Sequence, residues 1–486
     1  MHRASCFRVA PVFSFVSICL LTAMLALFVG CAVGPNYKRP SIEMPEGFRG
    51  APIPAPTNSL GDLPWWNVFQ DEHLRELIRV AVTNNYDLRI AIARVEQSHA
   101  ILDQNRGLFF PQLDYGGSIG RGKNFSGNAA VFTGGRTANS YAIAGNASWE
   151  IDLWGRIRRL NESARSQLLA SEEARRDVMI TLLSDVASTY FQLLALDQQV
   201  EIARRSTNSF GESLRIFSQR FQGGIVSKLE TSAAEAVLAS AAATEPDFER
   251  QIVITENRLN VLLGRNPGPI QRATNLVATQ FPLEVLPGLP SALIERRPDI
   301  RQTEESYRSA NAQVGVSIAD FFPKLSLTAL FGQVSPELST FTGGTANAWG
   351  IAGNLAGPLF HGGQLVGRYH EQRALAQEAQ WRYQSTIINA FQEVSNALVS
   401  REKFAEAAVQ QDRAVKAYQE AVQVATERYV AGRAGYFEVL QEQQQLFPAE
   451  NNLVQFQLNE RLAFIQLYRA LGGGWETERL AENKAR

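Results

Sequence analysis

The chain has 486 residues and a formal net charge of -1, and only 20% of its residues are charged. This balance gives no reason to expect nucleic acid or another polyanion as a partner. The five His are scattered, and the sequence contains no metal-ligand spacing, phosphate loop or nucleophile constellation. The sequence therefore predicts a protein that is not an enzyme and has no cofactor, with room for several domains or one elongated one.

The N-terminus is predicted to be a lipoprotein signal peptide, residues 1–30. Arg3 and Arg8 precede an apolar run over residues 9–29, which ends at Gly30 and Cys31. A basic start, an apolar centre and a small residue before the cleavage point are typical of a secretory signal, and Gly30-Cys31 resembles a bacterial lipobox. Cys31 is therefore predicted to carry lipid as the first residue of the mature chain. The alternative is an ordinary signal peptide that leaves a free, exposed Cys.

The next segment, residues 31–64, is rich in Pro and has no periodicity, so it is predicted to be an extended tether. A short helix is expected from Trp65 to Asn84. A longer one is expected from Asp87 to Leu108, ending before Pro111 because Pro has no backbone donor. These helices open a first repeat that is predicted to span residues 65–264.

After Phe109-Phe110-Pro111 the pattern changes from helix to strand. Strands are predicted at about 112–122 and 141–153, joined by a polar, Gly-rich loop, and again at about 324–334 and 349–360. Segments of this length can cross a bilayer as tilted strands. The alternative is a pair of surface hairpins outside any membrane.

Each pair of strands precedes a long helical stretch that turns back on itself, predicted at 156–264 and 363–472. No Pro occurs between Arg156 and Phe221, and apolar residues recur at alternating intervals of four and three from Leu182 onward. This heptad pattern predicts close helix packing. Helices of about 65 to 70 residues would be roughly 100 Å long. Pro246 and Pro448 are expected to kink the return helices.

The chain contains an internal two-fold repeat. The tripeptide at 299–301 precedes Phe321-Phe322-Pro323 at the same interval that separates the tripeptide at 87–89 from Phe109-Phe110-Pro111. Repetition at a fixed offset indicates a duplicated structural unit. The remaining segments are predicted as a linker at 265–290, a second repeat at 291–473 and a mobile tail at 474–486.

One chain supplies four candidate transmembrane strands, which are too few to close a barrel. An open sheet edge would leave unpaired backbone groups in hydrocarbon, which is strongly unfavourable. The edges must therefore pair with strands of other copies. Three copies would supply twelve strands, an even number within the range known for barrels, although the need for an oligomer is more firmly fixed than the number three.

Several sequences together resemble the TolC-like outer-membrane factors, and in particular their OprM-like lipoprotein branch. They are the two Phe-Phe-Pro junctions and the stretches Cys31 to Tyr37, Trp149 to Gly155 and Arg296 to Arg301. The resemblance covers nearly the whole mature chain. It implies an α+β membrane protein: a homotrimer with a 12-stranded β-barrel, four strands from each chain, continued by a long periplasmic α-helical barrel.

The resemblance also implies a location, partners and a function. The channel would be lipid-anchored in the outer membrane, extend into the periplasm, and dock with a periplasmic adaptor protein and an inner-membrane pump of the RND type. It would be the passive exit duct of a tripartite efflux system for small toxic compounds. A duct of a secretion system and a non-channel periplasmic coiled-coil lipoprotein stay open as alternatives.

The same resemblance points to the turns of the two helical hairpins. They would be periplasmic tips that meet the adaptor, through Gly223, Gly224 and Ile225 in the first repeat and Gly432, Arg433 and Ala434 in the second. Arg433 is the most specific candidate, because an exposed cation can form a directed pair. The alternative is that the glycines only allow a left-handed turn.

Just past the turns, Glu230 and Glu438 occupy matching positions in the two repeats. The resemblance implies an acidic constriction, a periplasmic gate, at this level. Glu438 matches its acidic position, whereas Gln441 stands where a second Asp can occur. Three copies of Glu438 would repel anions and one another. The alternative is that each Glu only stabilises a helix N-terminus through the helix dipole.

Overall fold

The computed structural model describes residues 32–51, 59–123, 125–126, 129–130, 135, 137–273, 276 and 287–474. The predicted signal peptide, Cys31 and the tail after Gly474 lie outside these residues. The chain divides into two compact units. The strand unit lies within residues 1–41, 95–171 and 303–383, and the helical unit lies within 42–94, 172–302 and 384–486.

The elements follow one another in two successive rounds of helix, strands, long helix and return helix. The first round consists of α1 (Trp65–Val68), α2 (Glu72–Asn84), α3 (Tyr86–Gly107), β1 (Gln112–Lys123), β2 (Phe125–Ser126), β3 (Ala129–Ala130), β4 (Thr137–Ile151), α4 (Arg156–Gln222), α5 (Lys228–Ala242) and α6 (Thr244–Leu262). The second consists of α7 (Pro290–Arg296), α8 (Pro298–Ala319), β5 (Lys324–Ser335), β6 (Asn347–Ala356), α9 (Gln364–Val430) and α10 (Tyr436–Ala470). Short 3₁₀ turns occur at Leu60–Asp62, Leu338–Thr340 and Gly344–Ala346.

Four strands form one antiparallel sheet in the order β1-β4-β5-β6, and β2 pairs separately with β3. The register of the larger sheet is continuous across each pair. Its end pairs are Gln112↔Ser148 and Lys123↔Thr137 for β1 and β4, Tyr141↔Ser335 and Ile151↔Leu325 for β4 and β5, and Lys324↔Ala356 and Gln333↔Asn347 for β5 and β6. The sheet therefore ends in two edge strands, β1 and β6.

Two strands differ in extent from the prediction. β4 begins at Thr137, before the predicted start at 141, because it pairs with β1 as far as Lys123. It ends at Ile151 because Asp152 accepts hydrogen bonds from the first amides of α4. β6 covers 347–356 and not 349–360, because Pro358 has no amide to donate to a strand ladder.

The two long helices, α4 and α9, each contain 67 residues. Within the helical unit the heptad positions of α4 form a core, with Val186, Leu193 and Phe217 almost fully buried. An apolar window of α4 is long enough to cross a membrane, but 72% of it is buried inside the protein. Packing against other helices therefore explains its composition.

One helical prediction was wrong in detail, and the structure describes the two return helices for which kinks were predicted. The segment predicted as one helix from Trp65 to Asn84 contains two, because Asp71 accepts hydrogen bonds from two amides and starts α2. The first return helix is divided at Ala243, three residues before Pro246. Pro448, in contrast, does not interrupt α10, which has 35 residues. The loss of one donor there leaves the rest of a long hydrogen-bond ladder in place.

Candidate functional site

The four-stranded sheet has one apolar face and one polar face. Residues paired across antiparallel strands point to the same side, so the register assigns each residue to a face. One face carries the rows Tyr115–Gly145–Phe331–Trp349 and Leu113–Ala147–Ala329–Ile351. The opposite face carries polar side chains: Asp114, Ser118, Asn146, Ser148, Ser326, Thr328 and Asn354. Lipid on one side and water on the other would satisfy both faces.

No other part of the described chain covers the apolar face. Tyr115 is 92% exposed, Ile119 83% and Trp349 76%. An apolar surface of this extent marks contact with a membrane or with protein. The rows from Ile151 to Tyr141 are apolar except for Gln333, Asn347 and Ser335 in the last two. They span ten residue intervals, which gives a band about 23 Å high for strands tilted by about 45°. That height matches the lipid-facing band of outer-membrane barrels.

The two edge strands are suited to pairing with another copy. β1 runs away from α3, whereas β6 returns toward α9, so the two edges have opposite directions. An edge β6 beside the β1 of a neighbouring copy therefore continues the antiparallel order. Such pairing removes the open edges that hydrocarbon cannot tolerate.

Tryptophan side chains hold both corners where helix gives way to strand. Trp149 Nε1 donates to the carbonyl oxygen of Phe109 at 2.9 Å. Trp154 Nε1 donates to the carbonyl oxygen of Pro323 at 2.8 Å, and its ring stacks on Phe322 with 4.6 Å between centroids. The two Phe-Phe-Pro sequences therefore lie at the helix end of the sheet. Tryptophan at this level suits a membrane interface.

The first part of the predicted tether is fixed along the strand unit, and residues 32–41 are called the strap. Glu304 of α8 accepts hydrogen bonds from Tyr37 Oη at 3.0 Å and from Arg39 Nε and Nη2 at 2.9 and 2.7 Å. Only 4% of the Glu304 side chain is exposed. Arg159 of α4 donates to backbone carbonyl oxygens of the strap at 3.1 and 3.2 Å. Charge-assisted hydrogen bonds thus fix this part of the predicted extended tether to the strand unit.

The charge of Glu304 is stabilised by its partners. Burial alone would raise its pKa, but the hydrogen bonds from Arg39 and Tyr37 outweigh burial and hold the pKa below its usual value. Arg308 donates to the same carboxylate at 3.0 Å, and its guanidinium lies 4.7 Å from the centre of the Tyr37 ring. The buried carboxylate therefore keeps its charge at neutral pH.

Glycines allow the strap to approach the body closely. A Cβ at Gly155, between β4 and α4, would stand 2.6 Å from Cα of Ala32. A Cβ at Gly34 would stand 2.5 Å from Cα of Gly315. Neither distance is possible for a real side chain, so both positions require Gly. Because Ala32 follows Cys31 directly, the described chain begins beside the corner where the sheet meets α4.

The two hairpin turns have the same backbone geometry. In the first, the amide of Gly224 donates to Phe221 at 2.9 Å and that of Ile225 to Arg220 at 2.9 Å. In the second, the amides of Gly432 and Arg433 make the equivalent bonds at 2.9 Å each. Gly224 and Gly432 both have φ of +70°. These are Schellman motifs, in which a left-handed Gly ends the helix.

The residues around the turns leave apolar and basic groups exposed. Ile225, Leu229, Val430 and Phe437 are exposed by 67%, 78%, 79% and 50%. Gly223 and Arg433 are also exposed, and Ala434 is half-buried. The predicted tip residues thus lie together within each turn, next to apolar side chains that were not predicted. Exposed apolar groups at helix ends are typical of contact surfaces.

The two matching glutamates have different surroundings. Glu230 accepts hydrogen bonds from the amide and the hydroxyl of Ser227 at 2.6 and 3.0 Å, so it is held at the start of α5. In the second repeat Gly435 takes the place of Ser227. Glu438 is left 48% exposed, 3.4 Å from Arg428, and Gln441 lies exposed one turn further along α10. The Ser-x-x-Glu spacing of a capping box was the signal in the sequence for this difference.

A network around Tyr436, which the sequence did not indicate, joins the two hairpins. Tyr436 Oη lies 3.1 Å from Ser213 Oγ, which donates to Gln443 at 3.0 Å. The Tyr436 ring makes edge contacts with Phe217 and Tyr429, with centroids 5.4 and 4.8 Å apart. A shift of one hairpin would therefore disturb the other.

The chain was compared with known proteins. A family described as outer membrane efflux protein matches residues 77–265 and 289–473. A probable efflux pump outer membrane protein, TtgC of Pseudomonas putida, is 31% identical over 463 residues, covering 94% of this chain and 96% of the relative. The cation efflux system protein CusC of Escherichia coli K12 is 30% identical over 463 residues, with 94% and 99% covered.

Solved structures agree in fold. The outer membrane channel CmeC of Campylobacter jejuni matches with a TM-score of 0.83 and 28% identity, covering 93% of this chain and 98% of that one. The similarity therefore extends through both the strand unit and the helical unit. The relatives and the solved neighbour are outer membrane efflux proteins or channels.

Proposed function

This chain belongs to the outer membrane efflux protein family, and we propose that it forms the exit duct of a tripartite pump of the RND type, anchored by lipid on Cys31. As an outer membrane efflux channel that extends into the periplasm, it works as a trimer with an adaptor and an inner-membrane pump. The pump type, the lipid, the contact residues and the transported compounds are the proposed parts.

The two-faced sheet with open edges carries the proposed duct. Its apolar face needs lipid, its polar face needs water, and its edges need further strands. Three copies supply twelve strands and enclose the polar faces around an aqueous passage. In a non-channel coiled-coil lipoprotein, this exposed apolar face would remain in contact with water.

Reconstitution tests the duct directly. Purified trimers in planar bilayers are expected to give discrete, uniform conductance steps. Trimers carrying Asp substitutions at Ile351 and Leu355, on the apolar face, should fail to insert, because charge on the lipid face is unfavourable. The matched double substitution at Thr328 and Asn354, on the polar face, should insert normally. Stable trimers that never conduct would rule out a channel.

The geometry of the strap supports the lipid anchor. The residue after Cys31 lies beside Gly155, at the end of the sheet where the tryptophans mark a membrane interface. A lipid attached at this level could enter the adjacent leaflet without unwinding the strap. Mass spectrometry of the mature N-terminus should find a lipidated Cys31, and Cys31→Ser should abolish the added mass. An unmodified Cys31 in membrane-extracted protein would overturn this part.

The two turns are proposed to contact the adaptor. Their exposed apolar side chains, together with Arg433, present a surface that water alone does not satisfy. A photoreactive group at Ile225 or Arg433 should crosslink to the adaptor, whereas the same group at exposed Arg413 should not. Equal crosslinking at all three positions would indicate nonspecific proximity.

Glu438 is proposed as the acidic residue of the periplasmic gate, with Gln441 beside it. Its side chain is exposed and does not cap a helix, whereas Glu230 is held by Ser227 and is proposed to stabilise α5. Three copies of Glu438 would place negative charge around the passage and favour cations over anions. The pair with Arg428 reduces this charge but, being exposed, binds weakly.

The transported compounds are proposed to be small toxic molecules supplied by the pump. One relative is named for toluene and another for cations, although both share about the same identity with this chain. A water-filled duct needs no shaped pocket, so these names do not indicate which compounds this chain transports. Deletion of the gene should sensitise cells to toxic compounds. Loss of an exported protein with unchanged tolerance would instead favour a secretion duct.

A further inference from the structure

Two cations lie on the apolar face of the sheet, beyond its apolar rows. Arg121 pairs with Asn139 and Lys123 with Thr137, so both residues share the face of Tyr115 and Ile119. Both are exposed. Within the described parts of the chain, neither forms an ion pair with a carboxylate.

Their position along β1 places them at one boundary of the membrane. β1 starts beside α3 and ends at Lys123, so Arg121 and Lys123 lie at the end of the sheet away from the helices. Because the helices extend into the periplasm, this end faces the outer leaflet. The two residues lie two and four positions past Ile119, about 5 and 9 Å further along the membrane normal. Long cationic side chains at such a level reach the lipid headgroups.

Closer to the helices, the same face contains an open apolar groove of about 730 Å³. Small residues, Gly145, Ala147 and Ala329, lie between the larger side chains of Leu113, Phe331 and Trp349. A groove between large side chains on a lipid-facing surface fits an extended hydrocarbon chain. Arg121 and Lys123 share this face and lie further along β1 than Leu113, so the groove and the cations together match a molecule that has an acyl chain and a phosphate at one end.

We propose that the strand unit binds a phosphorylated glycolipid of the outer leaflet, with an acyl chain in the groove and a phosphate on Arg121 and Lys123. This inference rests on the proposed placement of the sheet in the outer membrane. The groove supplies apolar contact, and the cations supply the charge-assisted hydrogen bonds that distinguish a phosphate from a neutral headgroup. The inner leaflet is excluded as the source, because the cations lie at the other end of the strands.

Native mass spectrometry of detergent-solubilised trimers tests the inference, with lipid A carrying two phosphates as the probe and its dephosphorylated form as the comparison. The wild-type trimer is expected to bind the phosphorylated form at least tenfold more tightly. R121Q/K123Q should lose this preference, whereas R265Q/R413Q, which removes two exposed cations from the helical unit, should keep it. Ala147→Leu, which fills the groove, should weaken binding of both forms equally.

Equal affinity of the wild-type trimer for the two lipids would overturn the inference without any variant. A preference retained in R121Q/K123Q would also overturn it, and unchanged binding by Ala147→Leu would remove the groove from it. Conductance of the same trimers separates this failure from failure of the proposed function. Trimers that conduct but bind the phosphorylated and dephosphorylated lipids equally refute only the lipid site. Trimers that do not conduct refute the channel.

Discussion

Replacing Glu304 with Gln tests whether charge holds the strap. The substitution keeps the size of the side chain but removes the negative charge of the carboxylate to which Arg39, Arg308 and Tyr37 donate hydrogen bonds. Breaking a buried ion pair costs about 3–5 kcal/mol. Arg39 is 44% exposed and Arg308 37%, so both cations regain water, and we expect a loss of about 2 kcal/mol. That loss makes opening of the strap roughly 30-fold more frequent.

Limited trypsin digestion measures this opening. Lys38 is exposed, but a protease binds its cleavage site as a released segment of several residues, so cleavage after Lys38 is expected to follow opening of the strap. Cleavage after Lys38 should be about 30-fold faster in Glu304→Gln when opening precedes cleavage. Glu406→Gln, in an exposed pair with Lys403, should leave the rate unchanged. If both variants are cut at the wild-type rate, the Glu304 cluster does not hold the strap.

The same cluster predicts a pH dependence of known sign. The folded-state pKa of Glu304 is lowered, so its stabilising contribution is present above the unfolded value of about 4.3 and is lost as pH falls through the folded pKa. The protection factors of the strap amides, which are their exchange rates corrected for the intrinsic rate at each pH, should therefore fall below about pH 4. Glu304→Gln should show low protection factors that change little with pH. A steep acid response in the variant would assign the effect to another group.

Two further predictions concern the channel and the corners of the sheet. Glu438→Gln removes three negative charges from the trimer, so it should lower the preference of the pore for cations over anions by roughly two- to fivefold. The reversal potential in asymmetric KCl measures this preference. An unchanged potential would leave Glu438 without a gate role. Trp154→Phe removes the hydrogen bond to Pro323 and should lower the free energy of unfolding by about 1 kcal/mol. The denaturation midpoint of the trimer should fall accordingly. Trp381→Phe, on the exposed surface of α9, should change the midpoint little.

The sequence was sufficient for the strands and the long helices, because each depends on local signals. Pro111 and Pro323 stop helices, and the heptad pattern from Leu182 to Phe217 requires a buried seam. The faces of the sheet were not apparent, since residues such as Gly145 and Ala147 show no clear alternation by themselves. They become clear only when the register aligns them with Phe331 and Ile351.

The strap and the Tyr436 network could not be predicted for a different reason. Arg39 and Glu304 are 265 positions apart, and Ser213 and Tyr436 are 223 apart. No periodicity connects such pairs, because the contact depends on the packing of whole helices. The capping box of Ser227 and Glu230 was different, since its four-residue spacing was readable and would have separated Glu230 from Glu438.

The duplicated hairpins differ at one position that decides what their glutamates can do. Ser227 holds Glu230 in a capping box, whereas Gly435 has no side chain to hold Glu438. A trimer therefore presents three acidic side chains that are held only by an exposed pair with Arg428 and three that are held in a capping box. Gating chemistry is thus expected only from the second repeat.

Gly435→Ser tests this assignment without changing any charge. Gly435 has an extended backbone, with φ of -75° and ψ of 150°, and a Cβ there would meet nothing within 4 Å, so Ser should be accepted without strain. The new hydroxyl should draw Glu438 into a capping box, stabilise α10 by a few tenths of a kcal/mol, and shift ion selectivity in the same direction as Glu438→Gln. Gly435→Ala should leave selectivity unchanged. If Ser and Ala behave alike, the freedom of Glu438 does not control the pore.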